Sequence, residues 1–265
     1  MLIVKDVHKT FFPGSVNEKK ALQGVDLTLK DGDFVTVIGS NGAGKSTLLN
    51  AVAGVFPIDT GRIEISGTDV TKMPEYQRAR FIGRVFQDPM KGTAAGMMIE
   101  ENLAMAARRG KRPGLRWSSQ GEQTESFKAM LRELDLGLED RMTAHVGLLS
   151  GGQRQAVTLL MATLVRPELL LLDEHTAALD PKTAEKVLQL TDRIVRQHNL
   201  TTLMITHNMR DALRFGNRLI MMHAGRVVED IPGDVKKTLA VPDLLDLFEK
   251  RAGKDVAVGD AMLLG

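Results

Sequence analysis

The stretch Gly39-Ser40-Asn41-Gly42-Ala43-Gly44-Lys45-Ser46-Thr47 sets two glycines five positions apart before a lysine and a hydroxyl residue. That spacing suits a polyphosphate. Glycines let the backbone curl with its N–H groups inward, a helix starting behind them adds the positive end of its dipole, Lys45 reaches terminal phosphates and Ser46 ligates magnesium. A plain glycine turn is the competing reading, and the order strand, loop, helix decides against it. A second segment, Leu169-Leu170-Leu171-Leu172-Asp173-Glu174, runs four apolar residues into two carboxylates. A buried strand of this kind delivers Asp173 to the sheet edge, where it can complete a magnesium shell, and sets Glu174 beside an attacking water. Apolar strands also end in acids at any solvated boundary, so the motif takes its meaning from the phosphate loop. In a third, Leu149-Ser150-Gly151-Gly152-Gln153-Arg154-Gln155, a hydroxyl and two glycines precede a helical pattern. That is a second anion receptor or, equally well on this segment alone, a helix N-cap with a flexible lead-in.

The elements that must position these groups follow from hydrophobic period. Residues 34–38 read as a buried strand, and 47–54 as a helix ending at Gly54. Further strands are expected over 2–10, 25–29, 62–66 and 81–86. From about 88 to 164 the pattern turns helical, over 100–109, 125–136 and 153–164. The basic run from Arg108 to Trp117, with its proline and glycines, reads as an exposed loop. Beyond it come a strand over 169–172, a helix over 181–198, a strand over 201–205 and a hairpin over 219–229 turning at Ala224-Gly225, with short helices after Pro232. Strands alternating with helices imply a mainly parallel sheet with crossovers.

Composition sets limits. With 265 residues, 43% hydrophobic and 26% charged, one globular domain with an inserted or appended lobe is expected. Lys and Arg number 35 against 33 Asp and Glu, a balance of +2, so no whole-molecule field argues for nucleic acid and any anion site is local. The absence of cysteine excludes disulfides, thiolate metal sites and a cysteine nucleophile, which suits a reducing cytosol. The opening Met1-Leu2-Ile3-Val4-Lys5-Asp6 lacks a signal-peptide pattern, and nowhere do about 18 apolar residues run uninterrupted. The expectation is a chain neither exported nor membrane-spanning, held at a membrane only by another protein.

Taken in order, these segments resemble the nucleotide-binding subunit of an ATP-binding-cassette transporter. The resemblance rests on the phosphate loop, Gln87 in Phe86-Gln87-Asp88-Pro89, Leu149-Ser150-Gly151-Gly152-Gln153, Asp173-Glu174, Ala178-Leu179-Asp180 and His207 in Met204-Ile205-Thr206-His207. It covers nearly the whole chain. It implies an α/β fold, a RecA-like P-loop NTPase core with an antiparallel β subdomain and an inserted helical subdomain. Residues 1–87 and 165–232 would form the core and β subdomain, 88–164 the helical subdomain, and 233–265 a short C-terminal helical extension. ATP and Mg2+ are the implied ligands. By resemblance, Gly39, Ser40, Asn41, Gly42, Ala43, Gly44, Lys45, Ser46 and Thr47 wrap the phosphates. Ser46, Gln87 and Asp173 serve the metal, Glu174 is the general base, and His207 contacts the γ-phosphate. Ser150, Gly151, Gly152 and Gln153 meet the nucleotide of an opposing copy, and Asp180 belongs to the nucleotide site as well. Phe11 matches the aromatic that stacks on adenine, a contact worth about 1–3 kcal/mol where bases lie on rings; Phe12 beside it is the alternative ring. Many relatives carry proline where this chain has His175, a change that leaves the carboxylates and Asp180 in place.

The implied activity is an ATPase that couples hydrolysis to transport, in an importer of a small solute such as an amino acid. The implied partners are a second copy or second ATPase subunit, transmembrane permease subunits and an extracytoplasmic solute-binding protein, without nucleic acid, at the cytoplasmic face of the membrane. The Gly-Glu-bearing loop usual in fused exporters is missing from Thr143-Ala144-His145-Val146-Gly147-Leu148. The segment from Phe12 to Glu18 is similar to that of a subset of importer ATPases that work with amino-acid-type binding proteins. The alternative is a soluble single-cassette ATPase in cofactor assembly or another non-transport process. A nucleotide-gated regulator without turnover is a third reading, against which Glu174 and His207 both speak.

Overall fold

Alternation of buried and exposed side chains begins at once in the computed structural model, which describes residues 1–111 and 120–252. Strand β1 (Leu2–Phe11) buries Leu2, Val4 and Val7, and pairs antiparallel with β2 (Lys19–Leu29) through Leu2↔Leu29 and Val4↔Leu27. The alternating pattern over 25–29 marks only the second half of β2. Its first half is held by pairing with the end of β1, Phe11↔Lys19, where side-chain period gives little signal. All six residues of β3 (Phe34–Gly39) are buried. Helix α1 (Lys45–Ala53) follows, ended by Gly54 in the left-handed region (φ 82°). Next come β4 (Thr60–Ile65), β5 (Thr68–Asp69) and the single turn α2 (Glu75–Arg78), and β2-β1-β4-β5 form one antiparallel sheet.

The chain divides into two units, Met1–Arg78 with the chain from Asn199 onward, and Ala79–His198. The second unit opens with β6 (Ile82–Val85), α3 (Ile99–Ala106) and α4 (Gln120–Arg132). A 3-10 turn at Val146–Leu148 leads into α5 (Gly151–Leu164), β7 (Leu169–Asp173) and α6 (Pro181–Gln197). Strands β6 and β7 run parallel, with Val85 opposite Leu172. Helix α5 lies so close on β6 that a methyl on Gly83 would stand 2.4 Å from the Ala162 carbonyl oxygen. Helix α4 stops short of the expected 136, and Asp135 (φ 56°) and Gly137 (φ 64°) beyond it are left-handed. Arg109 departs from the exposed-loop reading: it is half-buried and donates to the carbonyls of Ala162 (2.7 Å) and Val165 at the end of α5. The rest of that basic run, from residue 112 on, lies outside the described residues.

The chain then re-enters the first unit with β8 (Thr202–Ile205), α7 (Met209–Arg214), β9 (Arg218–His223), β10 (Arg226–Pro232), α8 (Gly233–Lys236) and α9 (Val241–Ala252). Within this unit β3 lies between β8 and β9, parallel to both, while β9 and β10 form the expected hairpin through Ala224 and Gly225. Leu244 and Phe248 of α9 close a core with Ile38, Met221 and Ile231. Among the described residues no helix is long and apolar enough to cross a membrane.

Candidate functional site

In the first unit the glycine-rich loop leaves the C-terminal end of β3 and enters α1 at Lys45, two residues before the sequence pattern places the helix start. Its shape is set from outside. A methyl on Gly39 (φ 154°) would stand 2.2 Å from the Met222 carbonyl oxygen, and one on Gly44 (φ 99°) 2.6 Å from that of Ala21. Gly225, at the turn of the β9–β10 hairpin, donates its N–H to the Ala43 carbonyl (2.9 Å), and Gln23 ties the same turn through Ala224 (2.7 Å). The loop is thus clamped between β2 and a hairpin from the far end of the chain. The Lys45 side chain, 6% exposed, curls over the loop and donates to the carbonyls of Gly39 (2.6 Å) and Ser40 (3.1 Å). Its ammonium therefore sits inside the curl, where phosphate oxygens can replace the carbonyls as acceptors. Asn41, Gly42 and Ser46 are exposed around it, Ser40 and Thr47 partly so, and Ala43 and Gly44 are buried.

Parallel pairing brings His207 to the same end of the sheet. Val37 of β3 lies opposite Ile205 of β8, and the Thr206 N–H donates to the Val37 carbonyl (3.1 Å), so His207 follows β8 as the loop follows β3. The imidazole is exposed there, just ahead of Asn208, which caps α7 by accepting from the N–H groups of Arg210 and Asp211. At the end of β1, Phe11 is partly buried and meets Phe56 edge to face at 5.2 Å, with the Lys9 ammonium 5.5 Å above its ring. Phe12 is 68% exposed and left-handed (φ 51°).

In the second unit, parallel pairing of β6 and β7 sends Gln87 and the pair Asp173–Glu174 out at one end. Arg84 on β6 approaches the Asp173 carboxylate at 3.9 Å and lies over the Phe86 ring. Glu174 is left-handed (φ 44°), a conformation costing a non-glycine residue on the order of 1–3 kcal/mol, and its carbonyl accepts from Ala177 N (3.0 Å). The tight turn ends at Asp180, which caps α6 by accepting from the Thr183 N–H (3.1 Å), with Pro181 in the first helical position. Hydrogen bonds from Thr183 hold the exposed Asp180 carboxyl below its ordinary pKa.

The Ser-Gly-Gly segment is a helix cap in full. The Ser150 hydroxyl accepts from Gln153 N (3.3 Å), and the Gln153 side chain accepts from Ser150 N (3.2 Å). This bond uses only the hydroxyl's oxygen, so its proton remains available to donate. Gly152 is required by packing: a methyl there would fall 2.0 Å from Thr183 Cγ2 on α6. An open cavity of about 730 Å³ adjoins this turn, bordered by Ser150 and Gln153 on one side and Thr183, Lys186 and Arg193 on the other.

Several residues that organise these groups carry no signal in the sequence. Arg154, 8% exposed, donates to the carbonyls of Val146, Gly147 and Leu149 and contacts Met90 Sδ, bracing the turn ahead of Ser150. Gln155, wholly buried, donates to the Phe86 carbonyl (2.9 Å), tying α5 to the residue before Gln87. The buried Asn102 bonds the N–H and carbonyl of Ala94 and fixes the segment after Gln87. His175 is buried, with Nε2 3.1 Å from Thr191 Oγ1, and burial lowers its pKa to about 4, so the ring is neutral.

A family model described as ABC transporter matches residues 22–177. The chain is 44% identical over 250 residues to a tyrosine transport ATP-binding protein of Clostridioides difficile, spanning 94% of this chain and 99% of that protein. It is 39% identical over 226 residues to a methionine import ATP-binding protein of Rhizobium johnstonii, covering 84% of this chain and 59% of that longer relative. Among solved structures it is similar to an ATP-binding cassette seen as a dimer in a post-hydrolysis state bound to ADP and Pi, with TM-score 0.75 and 29% identity over 88% of this chain and 99% of that one.

Proposed function

The chain belongs to the ABC transporter family and has its ATPase cassette fold, and from that premise we propose that it is the energy-coupling ATPase of an importer for an amino acid. The observation that carries this is the end-to-end likeness to the tyrosine transport ATP-binding protein, and we place an aromatic amino acid ahead of methionine as solute because the methionine relatives match over only part of their length.

On this reading the 39–47 loop and Lys45 bind the terminal phosphates of ATP, and Phe11 stacks on the base. Ser46 in the first unit and Gln87 and Asp173 in the second carry hydroxyl, amide and carboxylate oxygens, the donor types magnesium prefers, and by resemblance they are the residues that would hold it. Bound there, magnesium supplies positive charge to the phosphate oxygens. Glu174 takes the proton of the attacking water, and His207 holds an oxygen of the γ-phosphate as the terminal bond breaks. In a head-to-tail dimer, Ser150, Gly151, Gly152 and Gln153 of the opposing copy donate to the same phosphates from the amino end of α5, beside Asp180. The structure's open cavity beside Ser150 and the spare hydroxyl proton support this.

From the likeness to transport and import ATP-binding proteins we place the chain at the cytoplasmic face of the membrane, on permease subunits that take solute from an extracytoplasmic binding protein. The docking surface is assigned to the residues beside Gln87, where Met90 is 52% exposed and is contacted by Arg154. The test is uptake. Cells lacking this gene should lose high-affinity uptake of labelled tyrosine and regain it with the wild-type gene but not with Glu174→Gln. Unchanged uptake of tyrosine and of methionine in the deletion strain would overturn the importer reading.

A further inference from the structure

Glu174 stands in the left-handed region between two anchors of different kinds. On its amino side the backbone is fixed by strand pairing, with Leu172 opposite Val85. On its carboxyl side lies a short turn, closed by Glu174 carbonyl to Ala177 N–H and Thr176 carbonyl to Leu179 N–H, which ends at the α6 cap Asp180. His175 is the one residue of residues 174–177 whose side chain is fully buried. Its Nε2 meets Thr191 Oγ1 at 3.1 Å, sixteen residues on and in the third turn of α6.

The direction of that bond depends on the His175 tautomer; its existence does not. With the Thr191 hydroxyl donating to the Val187 carbonyl at 2.8 Å, its oxygen accepts from His175 Nε2 in the tautomer that carries hydrogen there; in the other tautomer the hydroxyl donates to Nε2, and either way the two side chains are joined. Both groups are buried, Thr191 being 1% exposed, so water offers neither a substitute partner and the bond is strongly favoured over its loss.

We propose that the His175–Thr191 hydrogen bond is a positioning tether for Glu174: it clamps the turn onto α6 and so keeps the neighbouring carboxylate aimed at the attacking water. The proposal rests on the assignment of Glu174 as general base. With its side chain buried against α6, His175 acts only through the backbone it shares with Glu174.

The experiment is a double-mutant cycle on the full chain with Mg-ATP, reading kcat, KM for ATP and thermal midpoint. Thr191→Val keeps the shape of α6 and removes the hydroxyl; Thr191→Ser keeps the hydroxyl. Displacement of a reacting group by about an ångström costs up to about 10²-fold, so Thr191→Val should lower kcat about 10–100-fold with KM unchanged within about twofold. Thr191→Ser should retain wild-type kcat. In a Glu174→Gln background, Thr191→Val should lower residual hydrolysis no further, which a general loss of packing would not spare. Wild-type kcat in Thr191→Val while Glu174→Gln is inactive overturns the tether alone, as does an equal loss in both backgrounds. Wild-type kcat in Glu174→Gln itself overturns the base assignment and the tether with it.

Discussion

Arg78 and Ala51 are joined across 27 residues of sequence by a 2.8 Å hydrogen bond, and the same guanidinium nitrogen reaches the Val52 carbonyl at 2.8 Å. The helix that begins at the phosphate loop therefore ends on a buried cation, which complements the negative end of its dipole. The remaining nitrogens bond the carbonyls of Met73 (2.8 Å) and Thr71 (3.1 Å), and the absence of a side chain at Gly54 leaves room for the head group. Burial lowers the guanidinium's pKa, and Asp69 partly offsets this, without approaching neutrality.

Arg78→Met should remove all these donors and leave buried carbonyls unbonded, a loss of about 2–4 kcal/mol. Urea unfolding will show a lowered midpoint with unchanged slope. Arg78→Lys, which cannot fork to four acceptors, should fall between the two. A midpoint for Arg78→Met equal to wild type would refute the capping role.

Glu174→Gln and Lys45→Ala should separate chemistry from binding. The first should keep ATP affinity, lower hydrolysis about 10²–10⁴-fold and accumulate a dimer in light scattering with Mg-ATP. The second should weaken nucleotide binding about 10–100-fold through loss of charge-assisted bonds. Lys45→Ala with undiminished affinity would remove the phosphate-loop assignment.

Gly152→Ala should destabilise the fold by about 1–3 kcal/mol through overpacking, because its methyl would fall 2.0 Å from Thr183 Cγ2. Adding Thr183→Ser, which deletes that methyl and keeps the hydroxyl, should restore the thermal midpoint. Gly151→Ala, whose nearest neighbour is Leu179 Cδ2 at 3.1 Å, should be milder. If the double variant stays as unstable as Gly152→Ala alone, steric conflict with Thr183 is not the cause.

Lys236 gives a pH signature. It is 3% exposed, donates to the carbonyls of Phe215 and Gly216 and to Thr36 Oγ1, and burial lowers its pKa to about 8 from 10.5. Between those values the unfolded chain holds a proton that the folded chain has released. Stability should therefore rise with pH from about 8 to about 10.5, by an amount of order 1–3 kcal/mol, and be flat for this group below 8. Urea midpoints of wild type and Lys236→Met, compared at pH 7.5 and pH 10, should show the wild type gaining on the variant. A constant difference between them would exclude the titration.

The elements that carry the candidate nucleotide-site residues were legible because each rests on local order. The phosphate loop needs a strand before it and a helix behind it, and residues 34–54 spell both, as the four leucines before Asp173 spell theirs. What was illegible is the set of long-range hydrogen bonds that holds those groups. Arg78, Arg109 and Arg154 look like surface charge in sequence, and each instead braces main-chain carbonyls from a buried or half-buried position. No period or spacing distinguishes an arginine that caps a helix from one that meets water. The different surroundings of Phe11 and Phe12 are likewise set by a tertiary contact, Phe56 against Phe11, while Phe12 is 68% exposed. His175 stood out in sequence only as a replacement for proline; its burial against Thr191 was illegible because that partner lies sixteen residues away on a helix face.

The hairpin turn that clamps the phosphate loop has a consequence for synthesis. Gly225 and Met222 complete a receptor whose glycines and lysine lie at 39–45, so a nascent chain carries the motif long before it can carry its shape. At roughly 5–20 residues per second, the ribosome needs on the order of tens of seconds to make the intervening segment. Throughout that interval the loop lacks its backing wall, and a chain truncated before residue 222 should not acquire the loop's folded shape at all.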